Sequence, residues 1–528
     1  MIIDARSLES NVLLEHEICV IGGGPAGITL ALELGARGHQ VCVLESGGLE
    51  YEDDTQELAR GTTSGDRYPD PDIGRLRILG GSTNHWAGNC SPLDPIDFEK
   101  RSWMPHSGWP FSRADLDSHY RSAQQYCQLG QYNYDPRYWT ANTDTSLITA
   151  GAADITTGVS QYSPPTNFGE VYRDGLDESA NITVVLHANA LEIELDEMGT
   201  QVESIRLGII GGDKFRVRAR VFVLAMGGIE TPRLMLLSTK KHANGVGNSN
   251  DLVGRFFMDH PTIEGALYQP SGAVDQRFYD STVRQHNVGG YLKLTPEALR
   301  REELLNVRIP FVPVSNYHIS EGMTSLHALS DNLGDGSWPD RFWDHVGNII
   351  YDMDMVLEGL SRGVFNQKIF DHADAIGGYM LRAMIEQTPD RDNRVTLSED
   401  RDYFGQRRIA LNWRISQRDR DNLWACYRIL AAQLGLLKAG RIRLRYDNEQ
   451  IFDDLLGYGH HHMGTTRASH DPKTGVVDRD LRVHELVNLY VAGSSIFPTG
   501  GHVPPTLTIV ALSIRLAEHI SKVWRRRA

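Results

Sequence analysis

Residues 17–45 read EICVIGGGPAGITLALELGARGHQVCVLE, and the reading of this stretch decides the fold. Ile18 to Ile21 form an apolar run suited to a strand buried on both faces. The run leads directly into Gly22-x-Gly24-x-x-Gly27. Pro25 fits the first turn of a helix, where its missing N–H costs nothing. Ala26 lies in the same turn. The helix extends to about Arg37, with Gly38 as its left-handed stop. A second strand, Val41 to Leu44, ends in the acidic Glu45 followed by Ser46. Each part has a physical task in binding a dinucleotide. Gly22 permits a tight turn, Gly24 lets a pyrophosphate approach the backbone, and Gly27 allows close packing of helix on strand. The helix N-terminus faces the phosphates, and Glu45 accepts hydrogen bonds from ribose hydroxyls. A lone GxGxxG is weak, but here strand, glycines, helix, second strand and acid follow in order. The motif does not separate FAD from NAD.

The 528 residues exceed one small core and predict two closely connected domains. Apolar residues at 41% and charged residues at 23% are ordinary for a globular chain. Repeats and heptads are absent, which removes solenoids and coiled coils. The net charge of -15 disfavours a nucleic acid or an anionic membrane as partner. The basic tail Arg525, Arg526 and Arg527 reads as a helix end that complements the dipole. Five unclustered cysteines (Cys19, Cys42, Cys90, Cys127 and Cys426) give neither a disulfide framework nor a zinc site. The N-terminus has no signal-peptide pattern and no apolar run reaches membrane-spanning length, so the cytoplasm is the expected compartment.

Further along, Thr183 to Leu186 and Val221 to Leu224 read as strands, with Gly211-Gly212 at a hairpin turn. Gly227-Gly228 and Gly493 place flexible backbone at strand ends, where α/β sheets bind ligands. Pro505 fits the start of a last helix whose Ile509, Leu512 and Leu516 share one face.

Four further segments resemble the glucose–methanol–choline (GMC) oxidoreductases, FAD-dependent enzymes acting on alcohols. They are Arg77-Ile-Leu-Gly80-Gly81-Ser82-Thr83-Asn84-His85-Trp86-Ala87-Gly88 with the downstream Ser107-Gly108-Trp109-Pro110; Ala225-Met-Gly227-Gly228-Ile-Glu230-Thr231-Pro232-Arg233; Val253-Gly254-Arg255 to Met258-Asp259-His260-Pro261; and His460-His461-His462-Met463-Gly464-Thr465-Thr466-Arg467 with Gly493, Pro505 and Thr506 beyond it. The resemblance implies an α/β fold. A discontinuous Rossmann-type FAD-binding domain would be built from residues 1–90, 180–261 and 451–528. Residues 91–179 would form a cap, and 262–450 an antiparallel-sheet, α+β substrate domain. FAD is the implied cofactor, held by Gly22, Gly24, Pro25, Ala26, Gly27, Glu45, Ser46, Gly81, Ser82, Asn84, His85, Trp86, Ala190, Ala225, Gly227, Gly493, Pro505 and Thr506. In some members a histidine at the place of His85 is bonded to the flavin; a noncovalent flavin is expected here.

Oxidising an alcohol removes a hydride from carbon and a proton from oxygen, and histidine suits the proton. Counting back three residues from Gly464 and six from Arg467 places the resembling catalytic histidine at His461. The family's second catalytic position, an Asn or His, falls here on Pro504, which has no side-chain donor or acceptor. His502, two residues upstream, is the candidate replacement. No metal is expected at the histidine run, since no carboxylate or cysteine is spaced to complete a ligand set. Glu386 or Gln387 suits a sugar hydroxyl or a structural hydrogen bond. The aromatic stretch Tyr132 to Trp139 reads as a surface loop in preference to a stacking platform. The expected reaction is FAD-dependent oxidation of a sugar, polyol or glycoside hydroxyl, passing electrons to oxygen, a quinone or a redox partner. The alternatives are an aminoglycoside or other natural-product alcohol, which the acidic surface suits, an NAD-linked dehydrogenase, and a lyase on the same fold.

Overall fold

The computed structural model describes residues 1–528 except 10, 142–146, 272–276, 281–286, 335–336, 446–448 and 526–528. Arg526 and Arg527 of the basic tail, and the side chain of Arg525, lie outside the described residues.

An eight-stranded sheet is organised around the opening motif. The strand Leu13–Ile21 runs into the helix Pro25–Ala36, which returns the chain to the parallel strand Val41–Leu44. Pro25 occupies the helix's first turn, and Gly38 just beyond it has φ 85°. Ile18, Val20, Val41 and Val43 are buried because the sheet is covered on both faces, which explains unbroken apolar runs where a one-sided strand would alternate. The strand Ile182–Leu186 joins the other edge of Val41–Leu44, and Ile2–Asp4 continues the parallel order beyond it.

The long strand Lys214–Leu224 has two characters. Its first half pairs antiparallel with Val202–Gly208 across a turn containing Gly211, and its outward Lys214, Arg216 and Arg218 alternate with buried Phe215, Val217 and Ala219. Its second half, Val221–Leu224, is wholly buried between Leu13–Ile21 and the late strand Leu489–Val491, both parallel to it. The chain therefore returns to the first sheet near its C-terminus. The last helix, Thr506–Arg525, starts directly after Pro505, whose carbonyl accepts the Ile509 N–H at 2.9 Å. It packs on the helix Pro25–Ala36, burying Leu512 and Leu516.

A second, antiparallel sheet is centred on Pro261–Pro270 and Ile376–Ile385, with Val307–Arg308, Phe311–Ser315, Gly440–Leu444 and Leu456–Tyr458 around them. It has its own apolar core, which includes Tyr268, Phe311, Leu381 and Tyr427. The architecture is thus α/β with an antiparallel second sheet. Chain exchange between the layers is extensive: Gly61–Gly65 leaves the first segment to pair with Arg407–Trp413, and Ile155–Tyr162 pairs with Val288–Leu294. Between the layers Arg101 and Glu386 form a bidentate ion pair at 2.7 and 2.6 Å, both side chains fully buried. No described helix is long and apolar enough to cross a membrane. All five cysteines are buried and free.

Candidate functional site

A cavity of about 1110 Å³ lies where the two sheets face each other. Small-molecule sites commonly occupy roughly 300–1,000 Å³, so the volume accommodates a dinucleotide with space beside it. At one end the wall is the opening motif: Gly22, Gly24, Pro25, Ala26, Glu45 and Ser46 line it. Gly81, Ser82, His85, Trp86, Ala190, Ala225, Gly227, Gly493, Pro505 and Thr506 extend the same wall. Residues far apart in sequence meet there because the first sheet recruits strands from both ends of the chain.

Three expected cofactor or catalytic positions lie off this wall. Gly27 faces the strand, where a Cβ would stand 1.9 Å from the Gly22 carbonyl oxygen. Asn84 is occupied in holding its own loop, donating to the carbonyls of Leu79 and Gly81 and accepting from Asn167. His502 is fully buried beneath the lining, its Nε2 3.3 Å from the Tyr291 hydroxyl. Pro504 and Pro505 take the lining positions, leaving the His502 ring on the inner side with Asp94 and Asp97.

The residues fit FAD. At Gly24 an added Cβ would meet no atom within 4 Å, and the same holds at Gly227, so the glycines border space rather than protein. The carboxylate of Glu45 accepts from the Gly23 and Gly47 N–H groups at 2.8 and 2.9 Å and from the Ser46 hydroxyl, which fixes it at the end of its strand. Burial raises its pKa, against the lowering effect of those hydrogen bonds. Arg75 and Arg77 line the cavity with Glu230 between them at 2.6 and 2.8 Å. Despite burial, Arg77, Arg233 and Arg75 hold Glu230 well below the usual carboxylate range.

At the other end the wall comes from the second sheet and the histidine run: Thr262, Glu264, Arg308, Val312, Arg382, Met384 and Tyr458, with His460, His461 and His462. The strand Pro261–Pro270 brings His260, just before it, against His461, with the two Nδ1 atoms 2.9 Å apart. His260 Nε2 lies 3.0 Å from the carbonyl oxygen of Gly501 and 3.3 Å from that of Gly500. Asp259 fixes the backbone of the run by accepting from the N–H groups of His460 and His461 at 3.1 and 2.7 Å. Burial, and then the neighbouring His260, His462, His460 and Arg308, push the His461 pKa well below its ordinary value. Burial likewise lowers His260, which favours the neutral form of both rings. The His85 imidazole, in the cofactor-side wall, is lowered by burial and by His460.

Glu386 and Gln387 do not line the cavity. Glu386 is taken up by Arg101 and by the N–H groups of Asn306 and Gly501, and Gln387 accepts from Trp413 and donates to Arg414. The Tyr132–Trp139 stretch is also outside the lining; Tyr134 donates to Gln124 and Trp139 to the Asn133 carbonyl. His260 and Arg308 were missed by motif reading. His260 was visible in the Asp259-His260-Pro261 segment, but Arg308 carries no local signal.

Comparison with known proteins supports an FAD-dependent oxidoreductase. The family profile for GMC oxidoreductase matches residues 389–513, and that for FAD dependent oxidoreductase matches residues 17–243. The 2-methyl-1,2-propanediol dehydrogenase of Mycolicibacterium austroafricanum is 24% identical, over 96% of this chain and 95% of its own. The 6'''-hydroxyparomomycin C oxidase of Streptomyces lividus is 26% identical, over 96% of this chain and 91% of its own. Among solved structures, formate oxidase from Aspergillus oryzae RIB40 shares the fold with a TM-score of 0.57 at 17% identity, covering 98% of this chain and 99% of that one. The C-terminal profile match and the relatives along the whole chain support membership of the GMC oxidoreductase family, with FAD as the cofactor. It is an FAD-dependent oxidoreductase acting on CH–OH groups.

Proposed function

We propose that the protein oxidises a hydroxyl of a sugar, polyol or glycoside, with His461 accepting the hydroxyl proton. The observation that carries this reading is the contact between His461 and His260. A carbonyl oxygen can only accept, so His260 Nε2 bears the hydrogen that meets Gly501. In the neutral ring His260 Nδ1 is then an acceptor, and it takes the Nδ1–H of His461. His461 is left with an unprotonated Nε2 while lining the cavity. That is the tautomer a proton acceptor needs. Asp259, through the backbone of the run, and Glu386, through the Gly501 N–H, hold the two ends of this relay.

Gly22, Gly24, Pro25, Ala26, Glu45 and Ser46 would hold the adenosine diphosphate part of FAD, with the helix N-terminus favouring its phosphates. Ser82, His85, Trp86 and the Gly493 and Thr506 turns would hold the flavin end. Bound there, FAD supplies the hydride acceptor. His461 takes the proton from the substrate oxygen as the hydride leaves the same carbinol group, giving a carbonyl. Val312, Met384 and Pro310 supply the apolar part of the second-sheet wall, which limits water beside the reacting atoms. Oxygen, a quinone or a redox partner would serve as the final electron acceptor.

Anaerobic stopped-flow reduction of the holoenzyme across a panel of sugars, polyols and glycosides tests the reading. His461→Ala should retain FAD and be reduced at least about 100-fold more slowly, while His460→Ala and His462→Ala change the rate far less. Normal reduction of His461→Ala by saturating substrate would overturn the assignment.

A further inference from the structure

Five arginines line the cavity, and four have carboxylate partners. Arg75 and Arg77 meet Glu230, Arg233 meets Asp402 at 2.6 Å, and Arg382 meets Glu264. Arg308 is the exception. Its Nη2 donates to the neutral Ser160 hydroxyl at 2.8 Å, its Nε is buried with no partner, and its guanidinium sits 4.8 Å from the centroid of the Tyr291 ring. Among the described residues none forms an ion pair with it, although the residue is only 5% exposed. The nearby Asp94 is already paired with Lys293 at 2.6 Å. A buried guanidinium with no counter-charge and an unpaired Nε–H is costly unless a ligand supplies the missing charge and acceptor.

We propose that Arg308 anchors a carboxylate on the substrate, so that the alcohol oxidised belongs to a hydroxy acid or sugar acid. This rests on the reading that the His461 end of the cavity holds the substrate. The planar fork of an arginine matches a carboxylate with two parallel hydrogen bonds, a geometry a lone hydroxyl does not satisfy. Ser160 and the Tyr291 ring hold the guanidinium before any ligand arrives, so little side-chain freedom is lost on binding. Arg308 is also one of the charges that oppose protonation of His461. A carboxylate seated on Arg308 cancels that opposition, so the correct substrate strengthens its own proton acceptor. A neutral sugar leaves the cation uncompensated, and an ammonium-bearing aminoglycoside adds a second positive charge beside it. The acidic surface of the chain as a whole does not reach this choice, because the local charge is positive.

Calorimetric titration of the oxidised holoenzyme with D-glucuronate, D-glucose, D-glucosamine and acetate tests the proposal. The three sugars share a ring and differ mainly in charge, and acetate isolates the carboxylate. D-glucuronate and acetate should bind with dissociation constants of about 1–10 mM, the range of one charge-assisted bidentate pair, and the neutral and cationic sugars more weakly. Arg308→Gln should weaken carboxylate binding at least about tenfold, and Arg308→Lys should retain part of it by keeping the charge. Flavin content and melting temperature establish that each variant is folded; if Arg308→Gln is not, the Lys variant and the charge series on the native protein still decide. The proposal falls if neither carboxylate binds, if D-glucose or D-glucosamine binds as tightly as D-glucuronate, or if folded Arg308→Gln binds carboxylates like the native protein. His461→Ala separates the two readings: it should bind carboxylates normally, so a failed titration in both proteins removes the anion site without touching the proton acceptor. Rapid flavin reduction in His461→Ala with intact carboxylate binding does the reverse.

Discussion

Alanine at Gly24 and alanine at Gly27 should have opposite consequences, although the two glycines are three residues apart. Gly24 has φ -81° and ψ -172°, extended backbone open to any residue, and a Cβ there meets no protein atom within 4 Å. Gly24→Ala therefore leaves the apoprotein undisturbed and intrudes only on the cofactor. Overpacking by one methyl costs about 1–3 kcal/mol, which at 1.4 kcal/mol per tenfold is about a 5- to 150-fold loss of FAD affinity. At Gly27 the Cβ lies 1.9 Å from the Gly22 carbonyl oxygen, a backbone atom that cannot move without parting helix from strand. Gly27→Ala gains roughly 0.5–1 kcal/mol in helix propensity and loses more than that to the clash. The assay is a fluorescence titration of apoprotein with FAD, paired with thermal melts of apo and holo forms. Gly24→Ala should match the native apo melting temperature and lose part of the holo increment, because ligand stabilisation follows RT ln(1 + [L]/Kd). Gly27→Ala should melt lower in both forms. Native FAD affinity in Gly24→Ala, or native apo stability in Gly27→Ala, would refute the argument.

Five other outcomes are expected. His461 is surrounded by His260, His460, His462 and Arg308 and its pKa is depressed, so its acceptor form persists to lower pH; flavin reduction should hold through about pH 6.5 and fall only below it, and an acid limb above that value would refute this. The His461 and His462 pKa values are both pushed well below the ordinary histidine value, so the unfolded chain takes up their protons first as pH falls through about 6.5; urea midpoints should decline from there downward, and a flat profile from pH 7 to 5 would contradict the sign. His502→Ala should retain FAD and its reduction rate within a few fold while losing about 1–3 kcal/mol of stability, whereas a rate loss like that of His461→Ala with native stability would restore His502 to the chemistry. Glu386→Gln leaves the buried Arg101 charge uncompensated and should cost about 3–5 kcal/mol in denaturant unfolding, and acid precipitation should release FAD to the supernatant, with flavin in the pellet that vanishes in His85→Ala showing a covalent bond instead.

The opening βαβ unit was legible because each step is local: an apolar run, a turn that needs glycine, a proline at a helix start, a second apolar run. The strand Val41–Leu44 matches its reading residue for residue. The hairpin at Gly211 and the buried Val221–Leu224 were legible for the same reason. What eluded the sequence was spatial. Asn84 and His85 are neighbours in one loop, yet hydrogen bonds to Leu79 and Asn167 turn one inward while the other lines the cavity. His502 has the right chemistry at nearly the right place, but a proline pair decides which side of the wall it occupies. The significance of Arg308 depends on Ser160, Tyr291 and an absent carboxylate, none within ten residues of it, so no spacing rule reaches it.

The late strand Leu489–Val491 also sets a schedule for synthesis. Its partner Lys214–Leu224 is made early, and the wall is incomplete until Gly493, Pro505 and Thr506 exist. At about 5–20 residues per second, the roughly 265 residues between Leu224 and Leu489 separate the two strands by about a quarter of a minute to a minute. For that interval the edge of Val221–Leu224 lacks its parallel partner and the cofactor wall lacks Gly493, Pro505 and Thr506. A chain truncated before Leu489 should therefore be lost as aggregate before it accumulates as apoenzyme.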